Sequence, residues 1–128
     1  MTINESNQLS EDRIKVILRD WLASKGWDST IAWGHSQGPD IAADRGSEHW
    51  LIEVKGSGSR PQMRVNYFLA VLGEVLQRMD DPETRYSIAL PDMAQYRGLW
   101  QRLPVLAKTR LALTMILVKP DGSVQLLP

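Results

Sequence analysis

The fold is indicated most clearly by residues 39–56, which read PDIAADRGSEHWLIEVKG. Two short segments that are suited to β-strands, 40–45 and 49–55, flank the loop RGSE, and this pattern predicts a β-hairpin. A four-residue loop pairs Asp44 with His49 and, further along, Asp40 with Glu53. The hairpin is therefore expected to hold two carboxylates about 5 Å apart on one face of the sheet.

Lys55 extends this pair of acids. Residues two apart on a strand project from the same face, so Glu53 and Lys55 lie together while Ile52 and Val54 face an apolar layer. Neighbouring carboxylates repel each other unless a cation lies between them. Two carboxylates, a strand carbonyl such as that of Val54, and water are the oxygen ligands that Mg²⁺ takes.

A lysine beside such an ion can orient a water molecule or hold a phosphate oxygen. The pattern therefore predicts metal-assisted hydrolysis of phosphodiester bonds. The alternative interpretation is that Asp40 is a turn residue after Pro39 and that Glu53 and Lys55 form a solvated strand face.

Outside the hairpin, apolar periodicity predicts alternating helices and strands around one sheet. The predicted helices cover 11–25, 61–79 and a segment that opens at 91–92 and ends or kinks at 104, and the further strands cover 29–33, 86–90, 111–119 and 124–127. This order predicts an α/β fold, with a central mixed sheet flanked by helices.

Composition limits the class of protein. The chain has 128 residues, 43% of them hydrophobic, which suits one domain over residues 10–128 after a frayed segment, 1–9. Lys and Arg number 15, as do Asp and Glu, so a generally basic nucleic-acid coat is excluded. With 0 Cys, no signal peptide pattern and no long apolar run, we expect a cytoplasmic protein without a membrane span.

Pro39 and Asp40, followed by Glu53-Val54-Lys55 within this element order, resemble the motif of the PD-(D/E)XK nuclease superfamily, which has the restriction-endonuclease-like fold. The αβββαβ core of that family fits residues 10–90. The layout is similar to small stand-alone members such as archaeal Holliday-junction resolvases and cyanobacterial excision-controlling factors.

The resemblance implies an endonuclease that acts on DNA and depends on Mg²⁺ or Mn²⁺. Asp40 and Glu53 would be the ligands and Lys55 would assist the water. It also implies an acid on the first helix, for which Glu11 is the matching residue and Glu5 a second candidate. Some members of the fold have lost catalysis, so the alternative is a silent module that binds nucleic acid or a protein partner in DNA rearrangement.

Two further features bear on partners. The segment GSGSRP, 56–61, is either a flexible connector or a loop that contacts the DNA backbone together with Arg60, Gln62 and Arg64. Cutting both strands of duplex or junction DNA needs two chains. A homodimer could form through the helix at 96–103 or the C-terminal hairpin.

Overall fold

The computed structural model describes residues 7–34 and 36–128 and places them in a mixed six-stranded sheet with helices on both faces. The helices are α1 (Glu11–Ser24), α2 (Pro61–Arg78), α3 (Ala94–Gln101) and α4 (Val105–Leu111). The strands are β1 (Asp28–Ile31), β2 (Ile41–Arg45), β3 (Glu48–Val54), β4 (Arg85–Pro91), β5 (Leu113–Val118) and β6 (Val124–Leu127). The predicted α/β class is confirmed.

The strands lie in the sheet in the same order as in the chain, β1 to β6. The three central strands β3, β4 and β5 run parallel, whereas β1, β2 and β6 join them by antiparallel pairs. Short connections join the antiparallel pairs β2–β3 and β5–β6, and the longer segment 32–40 joins β1 to β2. The helical crossovers α2 and α3–α4 make the parallel pairs. The elements up to β4 follow the predicted αβββαβ order.

Two apolar layers cover the sheet. The buried face of α1 packs on one side, where alternate residues of β3 such as Trp50, Ile52 and Val54 point. Helices α2 and α3 pack on the other side, where they meet Ile88 of β4 and Met115 of β5. Glu53 projects from β3 toward the side of α2, because it alternates with Ile52 and Val54.

Helix α1 begins and ends as the sequence predicts. Ser10 is the N-cap and its side chain accepts a hydrogen bond from the Arg13 backbone N–H, and Gly26 follows the helix with φ +87°. The expected frayed segment, 1–9, is only partly among the described residues, which exclude 1–6. Leu9, the last residue of that segment, is buried and donates a backbone hydrogen bond to Ser57 Oγ.

The boundaries of several predicted elements need correction. The hairpin turn has two residues, since Arg45 still pairs with Glu48, but the register is unchanged. The strand predicted from 49 ends at Val54, so Lys55 lies just beyond it. The third helix starts at Ala94, because residues up to Pro91 extend β4.

The sequence also missed helix α4, which takes the first residues of the strand that was expected at 111–119. Its apolar residues Val105 and Leu106 point to solvent, which leaves the sequence without a clear helical period. Pro104, which was expected to end the preceding helix, is the N-cap of α4, and Ala112 ends it with φ 50°.

Within the described ranges, no helix combines the length and the apolar character needed to cross a membrane.

Candidate metal centre

The β2–β3 hairpin brings Asp40 and Glu53 together. The register Asp44↔His49 is the predicted one, and continuing it places Asp40 beside Glu53. The Asp40 backbone N–H donates to Oε2 of Glu53 at 3.3 Å. The Val54 backbone N–H donates to Oδ2 of Asp40 at 2.8 Å, so the Val54 peptide also borders the two acids.

A third acid comes from α2. Asp40, Glu53 and Glu74 each offer a carboxylate oxygen, and these oxygens lie within 4.8 Å of one another. We call these three residues the acidic cluster. Glu53 is almost fully buried, whereas the side chains of Asp40 and Glu74 are 19% and 40% exposed. The cluster is therefore open to solvent on the side of those two residues.

Sequence reasoning missed Glu74, although a signal was present. Val71, Glu74, Val75 and Arg78 fall at i, i+3, i+4 and i+7, so an acid and an arginine share the buried face of an amphipathic helix. Charged residues on such a face need partners in the fold. Arg78 finds one, because its Nε donates to Oε1 of Glu53 at 2.9 Å.

Glu11, the predicted acid of the first helix, reaches Asp40 through a lysine. Lys15 is fully buried, and its Nζ lies 3.1 Å from Oε2 of Glu11 and 3.4 Å from Oδ1 of Asp40. The same ammonium donates to the Ala32 carbonyl oxygen at 2.6 Å. Glu11 is thus linked to the acidic cluster through the Lys15 ammonium. Glu5 lies outside the described residues.

Lys55 lies on the other side of the cluster. Its Nζ is 3.1 Å from Oε1 of Glu74, and its side chain is 23% exposed. Each acid of the cluster therefore has a cationic partner: Lys15 beside Asp40, Arg78 beside Glu53, and Lys55 beside Glu74. The site is a small network of alternating charges at the edge of the core.

These surroundings change the ionisation of three groups. Burial, followed by the neighbouring Asp40 carboxylate, raises the pKa of Glu53 to about 7, against the opposing effect of Arg78. Burial lowers the pKa of Lys15, but hydrogen bonds and charges from Glu11 and Asp40 outweigh it, so the pKa is raised. The pKa of Lys55 is raised in the same way, mainly by Glu74.

The donor set suits a hard divalent cation. Three carboxylates from separate elements, with open space beside two of them, are the kind of oxygen ligands that Mg²⁺ and Mn²⁺ take. A cavity of about 480 Å³ lies next to the site and is lined by Lys55, the partner of Glu74, and by Glu11, whereas none of the three acids of the cluster is among its lining residues. The rest of its lining comes from residues 8–10, Gly56, Ser57, Gly58 and Tyr67.

The start of the segment 56–61 is anchored. Ser57 and Leu9 exchange hydrogen bonds, with Leu9 N–H donating to Ser57 Oγ and Ser57 N–H donating to the Leu9 carbonyl oxygen, both at 2.9 Å. A Cβ on Gly56 would lie 2.8 Å from the backbone N of Glu11, so the α1 terminus approaches too closely for a side chain. This part of the segment is a fixed wall of the cavity.

The three predicted DNA contacts differ in their surroundings. Arg60 and Gln62 are exposed at the start of α2. Arg64 is half-buried, and its guanidinium donates to Oε1 of Gln95 at 2.6 Å and to the Ser57 carbonyl oxygen at 3.2 Å. Arg64 therefore supports the cavity wall, while the other two are free to meet a ligand from solvent.

Two of the solved structures that share this fold align with the chain over almost their whole length. An XisH family protein from Nostoc punctiforme PCC 73102 aligns with a TM-score of 0.61 and 22% identity, covering 91% of this chain and 100% of that one. An fdxN element excision controlling factor protein from Anabaena variabilis aligns with a TM-score of 0.62 and 20% identity, covering 91% and 99%. No protein-family model and no curated protein matches the chain.

At these identities the likeness establishes a common fold. Excision-controlling factors, which the element order resembles, are thus among the proteins that have this architecture.

Proposed function

We propose that this protein is a metal-dependent endonuclease of the PD-(D/E)XK type that hydrolyses phosphodiester bonds in DNA. The observation that carries the proposal is the acidic cluster, in which carboxylates from the residue before β2, from β3 and from α2 converge with Lys55 close by. The contacts of Asp40 with Glu53 and of Lys55 with Glu74 support these residues as the site.

In this proposal Asp40, Glu53 and Glu74 hold Mg²⁺ or Mn²⁺, with the Val54 carbonyl as a further ligand. The ion would supply Lewis-acid activation of the phosphate and of the attacking water. Lys55 lies on the cavity wall and is partly exposed, so its ammonium can hold a phosphate oxygen next to the cluster. Arg78 and Lys15 keep the carboxylates in place.

The anchored cavity wall gives a path for the DNA backbone. The cavity leads from Lys55 to the loop at 56–58 and Tyr67, and Arg60 follows that loop at the surface. A local set of cations is sufficient for phosphate contact even though the net charge is +0. A DNA substrate is compatible with the predicted cytoplasmic location.

The excision proteins that share the fold support a role in DNA rearrangement, and with it a junction, flap or nick as substrate. Two-stranded cutting by such a site would use a homodimer. One of the two predicted dimer surfaces, the helix at 96–103, has Tyr96 and Trp100 buried in the core of the chain. The other is the C-terminal hairpin, whose strand β6 lies at the edge of the sheet.

A second function has one specific observation in its favour. Each carboxylate of the acidic cluster already has a cationic partner, so the network is complete without a metal. A chain that kept the fold but not the catalysis would look like this, and it would serve as a nucleic-acid- or protein-binding module in DNA rearrangement.

The test is a panel of labelled substrates comprising duplex, flap, four-way junction, single strand and RNA, each incubated with Mg²⁺, Mn²⁺ or EDTA. We expect metal-dependent cleavage of a DNA substrate that is lost in Asp40→Asn and in Lys55→Ala while the circular dichroism spectrum stays native. Asp44→Asn is the matched control, since Asp44 is exposed on β2, the strand that follows Asp40, and contacts His49.

Equal cleavage by both variants and the wild-type chain would contradict the assignment of the site. Absence of cleavage and of saturable Mn²⁺ binding, together with DNA binding, would favour the silent module.

A further inference from the structure

Lys15 has an unusual position for a lysine. Its side chain is 1% exposed, and its ammonium has three oxygen partners, on Glu11, Asp40 and Ala32. A buried ammonium is stable only when such partners replace its water shell. Lys15 is therefore a fixed positive charge inside the protein.

The Lys15 ammonium lies directly beside the acidic cluster. Asp40 belongs to the cluster and is also the partner of Lys15, while Glu11 contacts Lys15 from the other side. In two-metal nuclease and phosphatase sites the ions stand about 3.5–4 Å apart and act as a paired clamp. Lys15 shares Asp40 with the acidic cluster much as one ion of such a pair shares a carboxylate with the other.

We propose that Lys15 is a built-in cation at a second cation position, so that the centre takes one divalent ion and Glu11 serves the lysine instead of a metal. The inference rests on the proposed function in that it takes the acidic cluster as the site of that ion. Lys15 is thus a positioning residue, which fixes Asp40 and sets the number of ions bound.

The other two cations of the network do not have this property. The side chains of Arg78 and Lys55 are 37% and 23% exposed, so both can move toward solvent when an ion enters. Lys15 lies beneath the segment after β1, where it donates to the Ala32 carbonyl oxygen, and its side chain is almost completely shielded from solvent. Its charge therefore stays when the ion binds.

The experiment measures Mn²⁺ binding to the EDTA-treated full chain by calorimetry, with circular dichroism as the check of folding. We expect one ion for the wild-type chain and two for Lys15→Met, which keeps the side-chain volume but removes the charge. Arg19→Met is the matched control, because it removes an exposed positive charge one turn later in α1 and should leave one ion bound.

The double variant Glu11→Gln/Lys15→Met identifies the second position. It should bind a single ion, because the carboxylate that would complete the second position is gone. It also removes both partners of a pair, which is tolerated better than leaving one of them buried and unpaired. If Lys15→Met alone does not fold, the double variant should still bind Mn²⁺ about tenfold or more tightly than the wild-type chain, because no cation competes for Asp40.

A folded Lys15→Met that binds one ion or none, when the wild-type chain binds one, would overturn the inference and leave the proposed function intact. A double variant that binds two ions, or whose affinity is no higher than that of the wild-type chain, would overturn it as well. If the wild-type chain binds no Mn²⁺ but Lys15→Met does, the proposed function and the inference both fail, because the wild-type centre is expected to take one ion. If neither binds, both fail.

Discussion

Glu53→Gln tests the buried carboxylate at the centre of the site. Glu53 is 2% exposed, and burial together with Asp40 raises its pKa from 4.5 to about 7. Between these two pH values the folded chain keeps a proton that the unfolded chain has released. The free energy of unfolding contributed by this group is therefore fully present below pH 4.5 and is lost as pH rises through about 7.

The magnitude follows from the same two values. Each unit of difference between the pKa values of 4.5 and about 7 is equivalent to about 1.4 kcal/mol. As the pH rises past both values, Glu53 therefore lowers the free energy of unfolding by about 3 kcal/mol. Gln has the shape of the protonated side chain and does not titrate. We expect Glu53→Gln to match the wild-type chain near pH 4.5 and to be more stable by about 3 kcal/mol at pH 7.5.

The assay is urea unfolding in EDTA, followed by the fluorescence of the five tryptophans at pH 4.5, 5.5, 6.5 and 7.5. Other carboxylates titrate in both proteins, so the difference between the two curves isolates Glu53. Glu83→Gln, at an exposed position, controls for the change in net charge. Parallel pH profiles for the wild-type chain and Glu53→Gln would refute the claim that this carboxyl is protonated in the folded protein.

Three further outcomes are expected. Below about pH 7, Mn²⁺ affinity measured by calorimetry should fall about tenfold per pH unit, because Glu53 must lose its proton to bind the ion, and a flat profile would contradict its role as a ligand. Gly56→Ala should lower the free energy of unfolding by about 1–3 kcal/mol, since the new Cβ meets the backbone of Glu11, whereas Gly73→Ala, which has open space on a helix, should not destabilise the chain. Ser10→Ala should lower the free energy of unfolding by about 1 kcal/mol, because it removes the N-cap of α1, whereas Ser10→Asp should unfold thermally close to the wild-type chain. Equal melting temperatures for the wild-type chain and both variants would contradict the role of Ser10 as a cap.

The resemblance to excision-controlling factors illustrates how far local patterns reach. The motif residues and the order of elements suffice to predict the mixed sheet, and the solved structures share that fold. Helix α4 was missed because Val105 and Leu106 are exposed, and an exposed helix leaves no apolar period in the sequence.

The chain by itself determined the part of the site that depends on neighbours along the strands. The two-residue period of a strand and a short turn fix which face Glu53 occupies and which residue stands opposite it, so Asp40 and Glu53 could be paired from their spacing. These are local constraints, and they hold before any helix is placed.

Tertiary packing decided which charges surround that pair. Glu74 and Arg78 reach the acids only because α2 lies across the sheet at β3, and Lys15 is buried only because the segment after β1 covers it. On isolated helices these three side chains would face solvent. Their partners are set by how helices pack on the sheet, which the apolar pattern of each helix does not specify.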